Sequence, residues 1–257
     1  MHTDTERKKY VEKVRALLAK ATDPGATEAE AEAFTKKAQD LMEKWVIQDA
    51  ELAAAGKGDR RIVTEVAGFV PNGVYGGSLS TMAVYLDEVY DTFTVMTRDR
   101  IDPDTGKRAK GLLVTGFSDD VENYRLMWAS LRVQVDQRMA SPEVVAQMKA
   151  ETGGGVESGG YRIRWKNVYI GGFSLGAWKT LLERKHVARE YVPTSTALVL
   201  VGKKDQVDAA VKEQFPNLRT SRTQNGGGFH GAKAQGYSDG KKVGQAGVGS
   251  GTKGALR

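Results

Sequence analysis

The chain of 257 residues contains no cysteine, three histidines and no long apolar segment. The absence of cysteine excludes disulfides and thiolate metal sites. No run approaches the roughly 18 apolar residues that a membrane-spanning helix needs. The first ten residues, MHTDTERKKY, also lack the apolar core of a signal peptide. We therefore expect a cytoplasmic protein that does not interact with membranes.

The histidines and the acidic clusters do not indicate a metal site. His2, His186 and His230 are scattered, and no pair has the H-x-x-x-H spacing of a zinc site. The aspartates at 99, 102 and 104 fall in a predicted turn, where turn chemistry explains them. We predict neither a metal nor a cofactor.

Positive charge is concentrated towards the C-terminus. Residues 1–60 carry a net charge of −1 and residues 61–160 a net charge of −4, whereas residues 161–257 hold 17 Lys and Arg against 6 Asp and Glu. Such an asymmetry is typical of proteins with a polyanionic partner, most often nucleic acid. A basic surface that only keeps the protein soluble is the alternative.

The pattern of apolar residues predicts an α+β fold in three segments. Residues 1–55 form a helical hairpin, in which a turn at Asp23-Pro24-Gly25 precedes a capping box of Thr27 and Glu30. Residues 56–222 form an antiparallel-sheet core with the order strand, helix, strand, strand, helix over residues 61–140. Residues 223–257 form a basic, Gly-rich helix or tail.

The hairpin contains the segment VRALLAKATDPGATEAEAEAFTKKAQDLMEKWVI, residues 14–47, with an Ala-Gln-x-Leu-Met run at Ala38–Met42. This segment resembles a family known only as a domain of unknown function, numbered 2786. Phe215-Pro216-x-Leu218-Arg219 and the spaced glycines after Ala232 resemble the usual C-terminal partner of such proteins. The resemblance implies a bacterial or bacteriophage context, with a bacterial or phage-infected host cell as the location. It implies no reaction.

Residues 161–189 have two incompatible interpretations. In one, Gly172-Phe173-Ser174-Leu175-Gly176 is a nucleophile elbow, and Ser174, Asp205 and His230 follow the triad order of α/β-hydrolases. In the other, a strand at Tyr161–Ile170 precedes a helix at Phe173–Arg189, and Gly172, Gly176 and Thr180 form a small-residue stripe on it. We favour the second, because a strand leading into an elbow is nearly all apolar, whereas Arg162, Arg164 and Lys166 alternate here.

Two further segments complete this second interpretation. We predict a strand at Thr196–Val201. Ala232, Gly236, Gly240 and Gly244 recur every four residues and predict a helix that approaches the stripe on the preceding helix.

The sequence therefore predicts a nucleic-acid-binding accessory protein of bacterial or phage origin, with no demonstrable catalytic centre. DNA or RNA would contact a set of basic residues, with one tryptophan stacking on bases: Arg162, Arg164, Trp165, Lys166, Lys179, Arg184, Lys185, Lys241 and Lys242. One alternative is an assembly protein that docks a protein partner through the helical hairpin. The other is the serine hydrolase.

Overall fold

The computed structural model describes residues 4–56, 61–153, 159–218 and 228–243. The chain begins with two helices, α1 (Asp4–Ala21) and α2 (Glu28–Ala54). The carboxylate of Asp23 accepts the backbone N–H of Gly25 at 2.7 Å in the turn between them. Thr27 and Glu30 form both bonds of the predicted capping box at the start of α2. The predicted hairpin is confirmed.

A three-stranded antiparallel sheet follows the hairpin. The elements are β1 (Ile62–Pro71), α3 (Gly76–Tyr90), β2 (Phe93–Ile101) and β3 (Arg108–Phe117), and β3 lies between β1 and β2. Helices α4 (Ser118–Ala140) and α5 (Pro142–Thr152) come next. Leu112 and Val114 of β3 lie in the main core with residues of α3 and α4, so these helices cover one face of the sheet. The α+β class is confirmed.

The remaining described residues form three helices: α6 (Gly159–Arg189), α7 (Thr194–Gln214) and α8 (His230–Lys241). The strands predicted at Tyr161–Ile170 and Thr196–Val201 are therefore wrong. Trp165, Tyr169 and Phe173 recur every four residues and are buried on one face of α6. Thr196, Leu200 and Val207 are likewise buried on α7. The helical period over the longer segment outweighs a short alternation of polar and apolar residues.

Helices α6 and α8 cross in close contact through glycines. A Cβ atom at Gly172 would overlap the carbonyl of Lys233, and one at Gly236 would overlap the carbonyl of Tyr169. Gly176 and Gly240 are equally crowded by backbone of the opposite helix. The predicted approach of the two glycine stripes is confirmed at these positions, while Gly244 lies outside the described residues.

Most of the described elements share one hydrophobic core. Its largest fully buried side chains come from α2, α3, the sheet, α4 and α6, and α1 contributes Tyr10, Val14 and Leu18. The opposite face of the sheet is covered at one end by α7, through Phe117, Val207 and Val211. No helix in the described part of the chain combines the length and apolarity needed to cross a membrane. The division into three segments stays a prediction.

Candidate nucleic-acid interface and adjoining cavity

Several of the predicted phosphate-binding residues lie in ion pairs inside the fold. The ammonium group of Lys185 is 2.6 Å from the carboxylate of Asp91 and donates to the carbonyl of Glu88 at 2.8 Å. Arg189 contacts the same aspartate at 3.0 Å and Glu43 at 3.3 Å. Burial alone would raise the pKa of Asp91, but the two cations outweigh it and the pKa is lowered. Lys185 is buried and does not reach solvent, so its assignment to a nucleic-acid surface is wrong.

Other C-terminal cations also pair with carboxylates from earlier in the chain. Arg184 contacts Asp40 at 2.9 Å, Lys203 contacts Asp120, and Lys242 contacts Glu28 at 2.8 Å. Lys241 lies over the ring of Tyr237, 5.9 Å from its centroid. Part of the C-terminal positive charge thus balances acidic residues of the N-terminal segments.

Trp165 is fully buried and cannot stack on a base. Its indole N–H donates to the carboxylate of Glu151 at 3.0 Å, and its ring stacks on Tyr169 with centroids 5.6 Å apart. The strand interpretation placed Trp165 on the face opposite Arg162, Arg164 and Lys166, whereas the helix directs it into the core. Its prediction as a base-stacking residue is therefore wrong.

The first two-thirds of α6 carry cations without acidic neighbours on the same helix. No Asp or Glu occurs between Gly159 and Leu182, while four basic residues do: Arg162, Arg164, Lys166 and Lys179. Arg164 and Lys179 are exposed, and Arg162 and Lys166 are half-buried. Among the described residues, Lys166 and Lys179 make no ion pair. This part of α6 is one portion of the predicted basic surface that solvent can reach, and Lys241 and Lys242 at the end of α8 are also half-exposed.

A second basic element, which the sequence analysis missed, is the hairpin formed by β2 and β3. Its cations are Arg98, Arg100, Lys107, Arg108 and Lys110. Asp102 in its turn accepts the backbone N–H of Asp104 at 3.0 Å and the hydroxyl of Thr105 at 2.9 Å. The net charge of the segment does not indicate this element, because aspartates lie between the cations and lower the sum. One of these aspartates, Asp102, accepts hydrogen bonds within the turn.

The hairpin and the start of α6 lie at the same end of the molecule. Pro71 at the end of β1 pairs with Ala109 at the start of β3. Three residues beyond Pro71, the carbonyl of Val74 accepts the side-chain amide of Asn167 at 2.9 Å. The end of β1 therefore joins the basic hairpin to the basic half of α6. We call the β2–β3 hairpin and residues 159–182 of α6 together the basic end.

A cavity of about 490 Å³ adjoins the basic end, between α3, α6 and the start of α8. Arg164, His230 and Lys233 line it, and no carboxylate occurs among its lining residues within the described chain. Its apolar walls include Tyr85, Ile163, Leu175 and Phe229. Asn167 in its wall is held in place, since its side chain accepts the Ser78 hydroxyl at 2.8 Å and donates to two carbonyls.

The nucleophile elbow is not formed. Ser174 lies in the middle of α6 and is 1% exposed, and its hydroxyl donates to the carbonyl of Ile170 at 2.7 Å. An elbow requires a sharp turn from a strand into a helix, whereas this segment is continuous helix. Asp205 on α7 and His230 at the start of α8 are both exposed, unlike the buried serine. The prediction of Ser174 as an exposed nucleophile is wrong.

The fold and this surface define an α+β protein with an N-terminal helical hairpin and a basic end. Residues 9–48, which span most of α1 and α2, match the model of a family described as "Protein of unknown function (DUF2786)". The predicted resemblance of the hairpin is confirmed, while that of the C-terminal half stays a prediction. Comparisons with the curated proteins and with the solved structures found no match.

Proposed function

We propose that the protein binds nucleic acid with little dependence on sequence, through the basic end. The observation that carries the proposal is the contrast between the two parts of α6. The cations near its C-terminal end, such as Lys185 and Arg189, are paired inside the fold, whereas Lys166 and Lys179 have no ion pair among the described residues. Lys and Arg that contact phosphates recognise charge and not base identity, so such binding tolerates any sequence.

The sheet offers a place where bases can stack. Phe69, Gly111 and Thr97 are in register across the three strands, so their side-chain positions share one face of the sheet. This face is opposite to the one that carries Leu112 into the core. The side chain of Arg100 lies 3.3 Å from the position that a Cβ at Gly111 would occupy. Phe69 and Arg100 therefore replace Trp165 as the proposed stacking surface.

Charge reversal within the basic end tests the proposal. We expect the double variant Arg164→Glu, Lys166→Glu to weaken binding to short DNA and RNA of any sequence. The slope of log Kd against log salt should fall by about 2, one unit for each phosphate contact that is lost. Fluorescence anisotropy at several salt concentrations measures both quantities.

The matched control places the same two substitutions elsewhere. Lys8 and Lys9 are exposed on α1, so Lys8→Glu, Lys9→Glu changes the net charge equally. The control should lose much less affinity than the variant. Equal losses in both would mean that only net charge matters, and the basic end would not be the binding surface.

Docking of a protein partner through the helical hairpin has less support. None of the large apolar side chains within residues 4–56 is among the mostly exposed ones, and Val14, Leu18, Met42 and Trp45 are buried in the shared core. An apolar docking surface is expected to leave such side chains in contact with solvent. The hairpin uses its apolar stripe to hold the rest of the chain.

A further inference from the structure

We propose that the cavity between α3, α6 and α8 binds a single phosphate-bearing nucleotide, either free or at the end of a nucleic-acid strand. The inference rests on the proposed function: a nucleotide is the expected ligand because the adjoining basic end would bind nucleic acid. It goes beyond that function, since a cavity selects one nucleotide whereas a basic surface accepts any backbone.

The charge of the cavity fits a phosphate. Arg164 and Lys233 come from two different helices, and His230 lies one turn before Lys233 on α8. The guanidinium of Arg164 lies 3.1 Å from the position of a Cβ at Gly228, immediately before the start of α8. Lys233 is exposed and makes no ion pair with any residue in the described ranges. The described lining therefore holds two cations and no carboxylate, a charge balance that favours an anionic ligand.

The walls of the cavity fit a base. Tyr85 and Phe229 provide aromatic rings, and Ile163, Val168 and Leu175 provide aliphatic surface. Tyr85 is fixed by stacking on Trp178, with ring centroids 5.4 Å apart, and the Trp178 indole N–H donates to Glu88 at 3.0 Å. A pre-formed cavity of about 300 to 1,000 Å³ with mostly apolar walls and a few polar groups is typical of small-molecule sites.

A second cavity in the described part of the chain has a different charge balance. It has a volume of about 420 Å³, and Glu28, Glu32 and Asp239 line it together with Arg138 and Lys242. Its cations are occupied, because Arg138 and Lys242 both contact Glu28 at 2.8 Å. It has no excess of positive charge for a phosphate.

Gly171 provides a substitution that fills the proposed site without removing charge. It lines the cavity on α6, and a Cβ there would have no atom within 4 Å. A leucine at this helical position should preserve or improve the helix while occupying the space for the base. Gly202 on α7 is the matched control, since a Cβ there would meet only the end of the Gln206 side chain at 3.6 Å.

The experiment compares wild type, Gly171→Leu and Gly202→Leu. The probes are nucleoside 5′-monophosphates, measured by calorimetry, and short single-stranded DNA with or without a terminal phosphate, measured by anisotropy. Thermal melting checks that all three chains are folded. We expect wild type and Gly202→Leu to bind a phosphorylated probe at least about tenfold more tightly than Gly171→Leu, because charge-assisted hydrogen bonds to the phosphate are lost when the ligand is excluded.

The outcomes separate this inference from the proposed function. A gain in strand affinity from the terminal phosphate that Gly171→Leu abolishes identifies a strand end as the ligand, whereas nucleoside-monophosphate binding that Gly171→Leu weakens, without such a gain, identifies a free nucleotide. Oligonucleotide binding that ignores the terminal phosphate, together with nucleoside-monophosphate binding that is absent or unchanged in Gly171→Leu, overturns the cavity site and leaves the basic end intact. No binding of any probe by wild type overturns both.

Discussion

At the scale of single residues, Asp87 makes the stability of the fold depend on pH. Burial raises the pKa of its carboxyl to about 6, although Thr92 and Thr94 donate hydrogen bonds to it at 2.7 to 3.0 Å. An aspartate in an unfolded chain titrates near 3.9. Between about pH 4 and pH 6 the unfolded chain therefore loses this proton first, and stability falls as the pH rises.

We expect Asp87 to make the free energy of unfolding lower at pH 7 than at pH 4 by up to about 3 kcal/mol. Urea unfolding of wild type and Asp87→Asn across this range measures it. The variant should lack this part of the pH dependence. Identical curves for the two proteins would show that the pKa of Asp87 is not raised in the fold.

A second residue-scale prediction concerns the pair of Lys203 and Asp120, which are almost completely buried. Lys203→Met leaves the carboxylate of Asp120 without its cation, and breaking a buried pair in this way costs about 3–5 kcal/mol. The double variant Lys203→Met, Asp120→Asn should lose much less, because no buried charge remains. Denaturant unfolding of the single and double variants tests the difference, and equal losses would argue against an ion pair.

Ion pairs between residues far apart in the chain could not be predicted from the sequence. The capping box of Thr27 and Glu30 was predictable because its two residues are three positions apart. Lys185 and Asp91 are 94 positions apart, and no local pattern records that they meet. The sequence identifies the cations but not which of them the fold neutralises.

At the scale of elements, the crossing of α6 and α8 depends on glycine. Gly172→Ala would place a methyl group against backbone atoms of Lys233 and Tyr237, which cannot move aside as a side chain can. We expect a loss of about 1–3 kcal/mol or more in the free energy of unfolding. Gly171→Ala, one residue earlier, meets no atom within 4 Å. It should stabilise the helix by about 0.5–1 kcal/mol.

Thermal unfolding of these neighbouring variants compares the two helix faces directly. Opposite shifts in Tm are expected. A neutral Gly172→Ala would mean that the two helices are farther apart than in this fold.

The elements that the sequence predicted correctly have periodicity that fits one structure only. The strands of the sheet are separated by a helix and by a turn, and their order with the two helices over residues 61–140 was predicted correctly. Residues 161–166 of α6 alternate apolar or aromatic and basic side chains, and this short segment alone resembles a strand. Only the four-residue spacing of Trp165, Tyr169 and Phe173 distinguishes the helix from a strand. The predicted strand, Tyr161–Ile170, ends before Phe173.

At the scale of the whole molecule, the charge asymmetry has two physical roles. Part of the C-terminal excess neutralises carboxylates in α2, directly after α3 and in α4, through Arg184, Lys185 and Lys203. Another part lies on the solvent-exposed part of α6 and adds to the basic hairpin of β2 and β3. Composition predicted the excess, but only the fold shows where it is exposed.

The salt dependence of nucleic-acid binding by the wild-type protein tests the role of the basic end most directly. We predict that short DNA or RNA binds at about 50 mM salt and that affinity falls by orders of magnitude by about 200 mM, as expected for several phosphate contacts. Sequences of different composition should give similar slopes. No binding at the lower salt concentration, or an affinity that salt does not change, would contradict the assignment of the basic end as a nucleic-acid surface.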